Sequence, residues 1–371
     1  MNKLLSIFLT MAVSISASAQ DLVTMMVGTY TEGGTSKGVY LYKFNQKTGT
    51  SRILSSVSAA NPSYVVASPD KRYAYAVSEY NDGRQSVIAF GFSNNHQSLE
   101  VIDKKSTTNA SAGGEDPCYI LTNGKQVVTA NYSGGDISVF PIAPDGTLGI
   151  MSQFIRFAPK SAGLKSHLHC VQFSPDGKYL FADDLGNDYI YRFDVNKSAD
   201  ALNKEPFLSN QVIAYKGVDG YGPRHLTFSS DGHHAYLINE LGDMLVVFEY
   251  ADGTLKPIQT LKAYDGEGGG SADIHISPDG HYLYTSHRLK KDGVSIFYID
   301  SATGMVSRVG YQPTGKHPRN FCMTPNGKYL LVACRDSNEI QVYRRNIITG
   351  LLRKMPKNIH LSKPVCINFL K

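Results

Sequence analysis

Cys170-Val171-Gln172-Phe173-Ser174-Pro175-Asp176-Gly177-Lys178-Tyr179-Leu180-Phe181-Ala182 reads as two short apolar runs joined by a tight turn. Pro175 sets φ at the second turn position, the Asp176 side chain supports the turn, and Gly177 accepts a positive φ. β-prone residues on either side make the segment a hairpin. The same arrangement surrounds Ser277-Pro278-Asp279-Gly280 and Thr324-Pro325-Asn326-Gly327, and the latter leads into Lys328-Tyr329-Leu330-Leu331-Val332.

Upstream of each hairpin lies an opening segment. These are Asn61-Pro62-Ser63-Tyr64, Asp116-Pro117-Cys118-Tyr119, His167-Leu168-His169-Cys170, Gly222-Pro223-Arg224-His225, Gly270-Ser271-Ala272-Asp273, His317-Pro318-Arg319-Asn320 and Lys363-Pro364-Val365-Cys366. They recur about every 46 to 55 residues, the period of propeller repeats. A third β-prone run follows each hairpin, as in Ile137-Ser138-Val139-Phe140 and Val294-Ser295-Ile296-Phe297, and a further turn leads to a fourth. Four strands per repeat make a propeller blade. Six full repeats begin between residues 61 and 317, while the last opener has room for one strand only. The stretch Leu22 to Asn45 supplies strands without an opener. The expectation is an all-β, seven-bladed β-propeller spanning 20–371 as a single domain, its last blade closed by strands from both termini so that no sheet edge stays open.

Composition fits that reading and narrows the function. The chain has 371 residues with 34 Gly and 23 Tyr, is 42% hydrophobic, and carries a formal net charge of +5. The basic residues form no dense run (Lys290-Lys291 and Arg344-Arg345 are isolated pairs), so nucleic acid is not an expected partner. Lys3, the apolar stretch Leu4 to Val13 and the small residues Ala17-Ser18-Ala19 form a signal-peptide pattern over 1–19, implying export to the periplasm or the extracellular space. No other stretch is apolar over a membrane-spanning length, so no membrane partner is expected. The five Cys include no C-x-x-C pair and are read as buried free thiols. A closed ring leaves few strand edges to pair, so a monomer is expected.

Aligning the repeats on their turns picks out two rings of residues that should face the central channel. One, just after each opening Pro or its equivalent, reads Ser63, Cys118, His169, Arg224, Ala272, Arg319 and Val365. The other, at the end of each second strand, reads Glu79, Tyr132, Leu185, Glu240, Arg288 and Arg335. His, Arg and Glu in otherwise strand-like sequence are not required by blade packing. Arg224 and Glu240 belong to the same repeat and should be neighbours. His167 and His169 have a spacing that would suit two metal ligands on one strand face, but the preferred reading places one in the channel and one on the loop before it, with no metal and no cofactor. The glycine-rich stretch Gly266–Gly270 lacks the Lys of a P-loop, and no G-x-S-x-G elbow occurs.

Val27-Gly28-Thr29-Tyr30-Thr31, Asn61-Pro62-Ser63-Tyr64, Ala130-Asn131-Tyr132, Gly222-Pro223-Arg224-His225-Leu226, Asn239-Glu240-Leu241 and His317-Pro318-Arg319-Asn320-Phe321 together resemble the seven-bladed lactonase family. That family includes propeller-type 6-phosphogluconolactonases and fungal muconate-lactonizing enzymes. The resemblance implies a lactone hydrolase acting on a small sugar lactone, with His169, Arg224, Glu240 and Arg288 at the catalytic positions. His169 or Glu240 would be the base, and the arginines would hold the carbonyl oxygen or a substrate anion. Arg319, Arg335, Glu79, Tyr132, His225 and His287 complete the expected substrate-binding set. The alternatives are a non-catalytic propeller that binds a carbohydrate or a protein, and a muconate-type cycloisomerase.

Overall fold

The computed structural model describes residues 21–109, 112–200, 205–266 and 268–370, so the expected signal segment lies outside the described residues. Seven antiparallel sheets are arranged as successive blades. The first blade runs from Val65–Ala67 through Tyr73–Ser78 and Ser86–Phe92 to Leu99–Ser106. The next four begin at the innermost strands Pro117–Thr122, Leu168–Phe173, Pro223–Phe228 and Ser271–Ile276. In the sixth blade, Pro318–Met323 is innermost, and two short strands, Leu352–Lys354 and Ile359–His360, share the outer edge. The seventh is closed by both ends of the chain: Pro364–Phe369 pairs with Leu22–Thr29, followed by Gly38–Asn45 and Thr50–Ser58. The expected propeller and its mode of closure are both present.

Each hairpin turn is built as the sequence implies. The Ser174 hydroxyl donates to Asp176 at 2.7 Å and accepts from the Tyr179 amide at 3.0 Å. The same pair of bonds recurs at Ser68, Ser229, Ser277 and Thr324. Adjacent blades are glued by apolar layers. One packs Val128 and Ile137 of the second blade with Leu180 and Tyr191 of the third, and another packs Tyr236 and Leu245 with Leu283 and Phe297. Burying each such side chain contributes about 1.5–3 kcal/mol. Tyrosines on the second strands also tie one blade to the next. The hydroxyls of Tyr75, Tyr236 and Tyr284 donate to the carbonyls of Gly146, Gly304 and Gly350 at 3.1, 3.0 and 2.7 Å. All five cysteines are free, and four are buried, in keeping with their reading as small apolar groups. Among the described residues no helix is long and apolar enough to cross a membrane.

Candidate functional site

The innermost strands bring the site together through a repeated irregularity. In six blades the register slips by one residue near the strand start, between Pro117 and Tyr119, Leu168 and Cys170, Pro223 and His225, Ser271 and Ile274, Pro318 and Asn320, and Pro364 and Cys366. A β-bulge of this kind re-aims the extra side chain. The residue before the bulge takes a left-handed conformation at Asp116, Gly222, Gly270 and His317, with φ of 51, 68, 120 and 59°. Its carbonyl then accepts the amide of the residue that follows the second strand. Glu79, Tyr132, Leu185, Glu240, Arg288 and Arg335 are bound in this way to Asn61, Asp116, His167, Gly222, Gly270 and His317, at 2.8–3.1 Å. The two rings read from sequence are thus locked side by side.

At the centre stands an Arg–Glu–Arg clamp. Arg224 Nε donates to Glu240 Oε2 at 2.7 Å, and Arg288 Nη2 approaches Glu240 Oε1 at 2.8 Å, off the hydrogen-bonding line. Arg224 and Arg288 are buried behind the carboxylate. Burial pushes the Glu240 carboxyl up, but Arg288, Arg224 and Arg319 outweigh it and bring its pKa down to about 2. Burial lowers Arg288 to about 10 against the pull of Glu240, which leaves it a cation at neutral pH.

Arg224 is held from below. Its Nη1 donates to the Ala272 carbonyl at 2.6 Å and lies 3.1 Å from His225 Nε2. His225 Nδ1 lies 2.8 Å from Asp273 Oδ1. Burial and Arg224 lower the His225 pKa to about 4 despite Asp273, so the ring carries one proton at neutral pH. That proton sits on Nδ1 facing the carboxylate, which frees Nε2 to accept from Arg224. Asp273 also accepts from His275 Nε2, Asn320 Nδ2 and the Phe321 amide. Burial pushes its carboxyl up, but His275 and His225 outweigh this and hold it below the usual carboxylate range.

A cavity of about 250 Å³ opens beside the clamp, lined by Glu79, Asp116, Cys118, Tyr132, Ser133, His169, Glu240 and Arg319. Its size lies just under the ~300–1,000 Å³ of drug-sized ligand sites, which suits a single small ring. Burial first, then Arg224, His225, Arg319 and Arg288, push His169 well below its ordinary pKa, so its ring is neutral. Its Nδ1 has no hydrogen-bond partner. Tyr132 packs edge-on to His169 and stacks on His167, whose Nδ1 lies 3.0 Å from the Tyr132 carbonyl. The two histidines therefore split between channel and loop, and no group of three or more His, Cys, Asp or Glu side chains suited to a metal occurs among the described residues.

On the opposite wall, Tyr30 donates to Glu79 Oε1 at 2.8 Å while Arg319 lies over the Tyr30 ring and 3.7 Å from Glu79 Oε2. Burial disfavours the Arg319 charge, but Tyr30 and Glu79 outweigh it and raise its pKa.

Two expected residues stand elsewhere. Arg335 begins a short 3₁₀ turn and turns back onto its neighbour Asp336 at 2.7 and 3.0 Å, away from the cavity lining. His287 lies within its blade, between the hydroxyls of Ser271 and Thr285 at 2.8 and 2.9 Å and stacked on Tyr264. Ser271 in turn donates to Asp243 of the preceding blade, so His287 belongs to an inter-blade tie. Tyr30, Asp116, Ser133 and Asp273 were not singled out from the sequence as site residues. Asp273 follows the inward-facing position of its own repeat, which is the signal that locates it.

Residues 24–369 match the family Lactonase, 7-bladed beta-propeller. The chain belongs to this family. It is 35% identical to a 6-phosphogluconolactonase of Formosa agariphila, over 90% of this chain and 96% of that one. A 6-phosphogluconolactonase of Bacillus subtilis is 28% identical over 93% and 97%. Among solved structures, a candidate 6-phosphogluconolactonase of Bacteroides fragilis superimposes with a TM-score of 0.89 at 50% identity, covering 95% of this chain and 98% of that one. A periplasmic gluconolactonase of Pseudomonas aeruginosa superimposes with a TM-score of 0.83 at 29% identity, covering 94% and 99%.

Proposed function

We propose that this lactonase-family propeller is a carboxylic-ester hydrolase that opens a sugar lactone by water attack in the channel cavity, without a metal. The observation that carries the reading is the Arg224–Glu240–Arg288 clamp beside a small cavity lined by Glu240, neutral His169 and Arg319. A lactone carbonyl entering there meets Arg319, the cationic side chain among the cavity-lining residues, which can stabilise the oxyanion that forms when water adds. Glu240 has both oxygens taken up by arginines and a depressed pKa, so it fixes the clamp and is ill suited as the base. His169 lines the cavity with a neutral ring whose buried Nδ1 has no hydrogen-bond partner.

The signal-like 1–19 segment and the periplasmic Pseudomonas relative support export. A 6-phosphogluconolactone arises in the cytoplasm, so an exported enzyme would act on an unphosphorylated sugar lactone. The test compares gluconolactone with its 6-phosphate, using the purified mature chain at slightly acidic pH, with and without a chelator. Turnover that is indifferent to chelator and falls about 10²–10³-fold in Arg224→Ala supports the reading. No turnover from folded protein would favour a binding propeller. Activity confined to muconate-type acids would favour a cycloisomerase.

A further inference from the structure

We infer that Glu79 is the proton acceptor for the attacking water, with Tyr30 positioning it and Arg319 facing the oxyanion; this rests on the lactonase reading above. Three carboxylates line the cavity. Glu240 is taken up by Arg224 and Arg288. Asp116 lies at the half-buried rim, where its Oδ2 accepts from both Asn81 and Ser133. Glu79 is fixed at one end only: its amide bonds the Asn61 carbonyl and its Oε1 accepts from Tyr30. Oε2 is buried, has no hydrogen-bond partner, and lies 3.7 Å from Arg319 Nη2, beyond hydrogen-bonding range. A buried acceptor left unsatisfied is costly, and a water or substrate hydroxyl in the cavity would satisfy it.

His169 is the other unpartnered acceptor on this cavity. A proton would create a buried cation on His169, among three arginines that already disfavour one. Proton uptake at the imidazole is thus opposed, while Glu79 Oε2 remains the buried, unpartnered acceptor beside Tyr30 and Arg319. Burial also keeps the Tyr30 hydroxyl protonated, so its donation to Oε1 persists and leaves Oε2 as the working atom.

The step balances without an added reactant. The water oxygen bonds to the lactone carbonyl carbon and its proton passes to Glu79 Oε2. The carbonyl electron pair moves onto oxygen, opposite Arg319. Collapse restores the carbonyl, breaks the bond to the ring oxygen, and that oxygen takes the proton back from Glu79. The product hydroxy acid ionises to solvent, and nothing is oxidised or reduced.

The experiment follows proton release with gluconolactone in the full mature chain and in Glu79→Gln, Glu79→Ala and Tyr30→Phe, each checked for fold by circular dichroism. Glu79→Gln keeps an acceptor for Tyr30, so kcat should fall about 10²–10⁴-fold with KM within about threefold. Added formate should restore part of the turnover of Glu79→Ala, which a merely structural role would not produce. Tyr30→Phe should lose less, about tenfold. Glu79→Gln with parental kcat, or a folded Glu79→Ala that formate does not accelerate, would overturn the assignment and leave the lactonase reading standing. If the unmodified chain turns over no lactone, the functional reading fails and this assignment with it.

Discussion

Glu240 turns two buried arginines into one fixed surface, and this gives it a measurable signature in stability. Its folded pKa of about 2 lies below the ordinary carboxylate value of 4.5. A carboxyl with a depressed folded pKa contributes stability that is present above the unfolded value and lost as pH falls through the folded one. The urea midpoint should therefore decline between about pH 4.5 and pH 2, and Glu240→Gln should flatten that segment of the curve. At pH 7 the same variant leaves Arg224 and Arg288 opposed by a neutral amide, and should cost on the order of 3 kcal/mol. A urea midpoint unchanged at pH 7 would mean that the clamp contributes nothing to the fold. Beneath it, Asp273 sets which nitrogen of His225 carries the proton, and so sets Arg224. Asp273→Asn removes that instruction, and the chain should lose about tenfold or more in kcat/KM while binding of a neutral sugar changes little, read by comparing kcat with KM.

The turns and strand pairs were legible because each has a local cause: Ser174, Asp176 and Gly177 make their hairpin from neighbouring residues alone. The bulges were not, because a slipped register is visible only against a partner strand. Strict alternation would set Arg224 and His225 on opposite faces of the sheet. The bulge instead brings Arg224 Nη1 to 3.1 Å from His225 Nε2. Alternation does explain His287, which precedes channel-side Arg288 and so points into the blade. Tyr30 escaped notice because it follows the strand Leu22–Thr29, in the blade whose opening segment lies at the other end of the chain. Gly270 tests the bulge as an element. At φ 120° it accepts the Arg288 amide and the Arg288 Nε on its carbonyl, and an added Cβ would sit 2.3 Å from the Arg288 carbonyl oxygen. Gly270→Ala should lower stability by about 1–3 kcal/mol and displace Arg288, read as a lower melting temperature together with lost turnover.

At the scale of the whole ring, the site depends on closure. Glu79 and Arg319 belong to the first and sixth blades, and Tyr30, which bridges them, comes from the seventh. Tyr30 is itself anchored to the last segment through its amide and the Lys363 carbonyl at 3.0 Å. That segment buries Val365, Cys366, Ile367 and Phe369, and Phe369 packs edge-on against Phe44 in a layer that also holds Tyr329 of the sixth blade. Ile367 further donates its amide to Asn320 Oδ1 at 2.7 Å, joining the closing strand to the sixth blade's innermost strand. Burial of these four side chains contributes several kcal/mol, at about 1.5–3 kcal/mol for each large one. The net stability of a folded domain is only about 5–15 kcal/mol. Removal of residues 364–371 should therefore abolish the cooperative melt and, by exposing the Leu22–Thr29 edge, drive association. Size-exclusion chromatography with light scattering should find the intact chain monomeric and the shortened one aggregated. A shortened chain that stays monomeric and melts cooperatively would mean that six blades hold the ring without the closing strand. Its lactone turnover would then report whether Tyr30 keeps its place between Glu79 and Arg319 once the strand that holds Lys363 is gone.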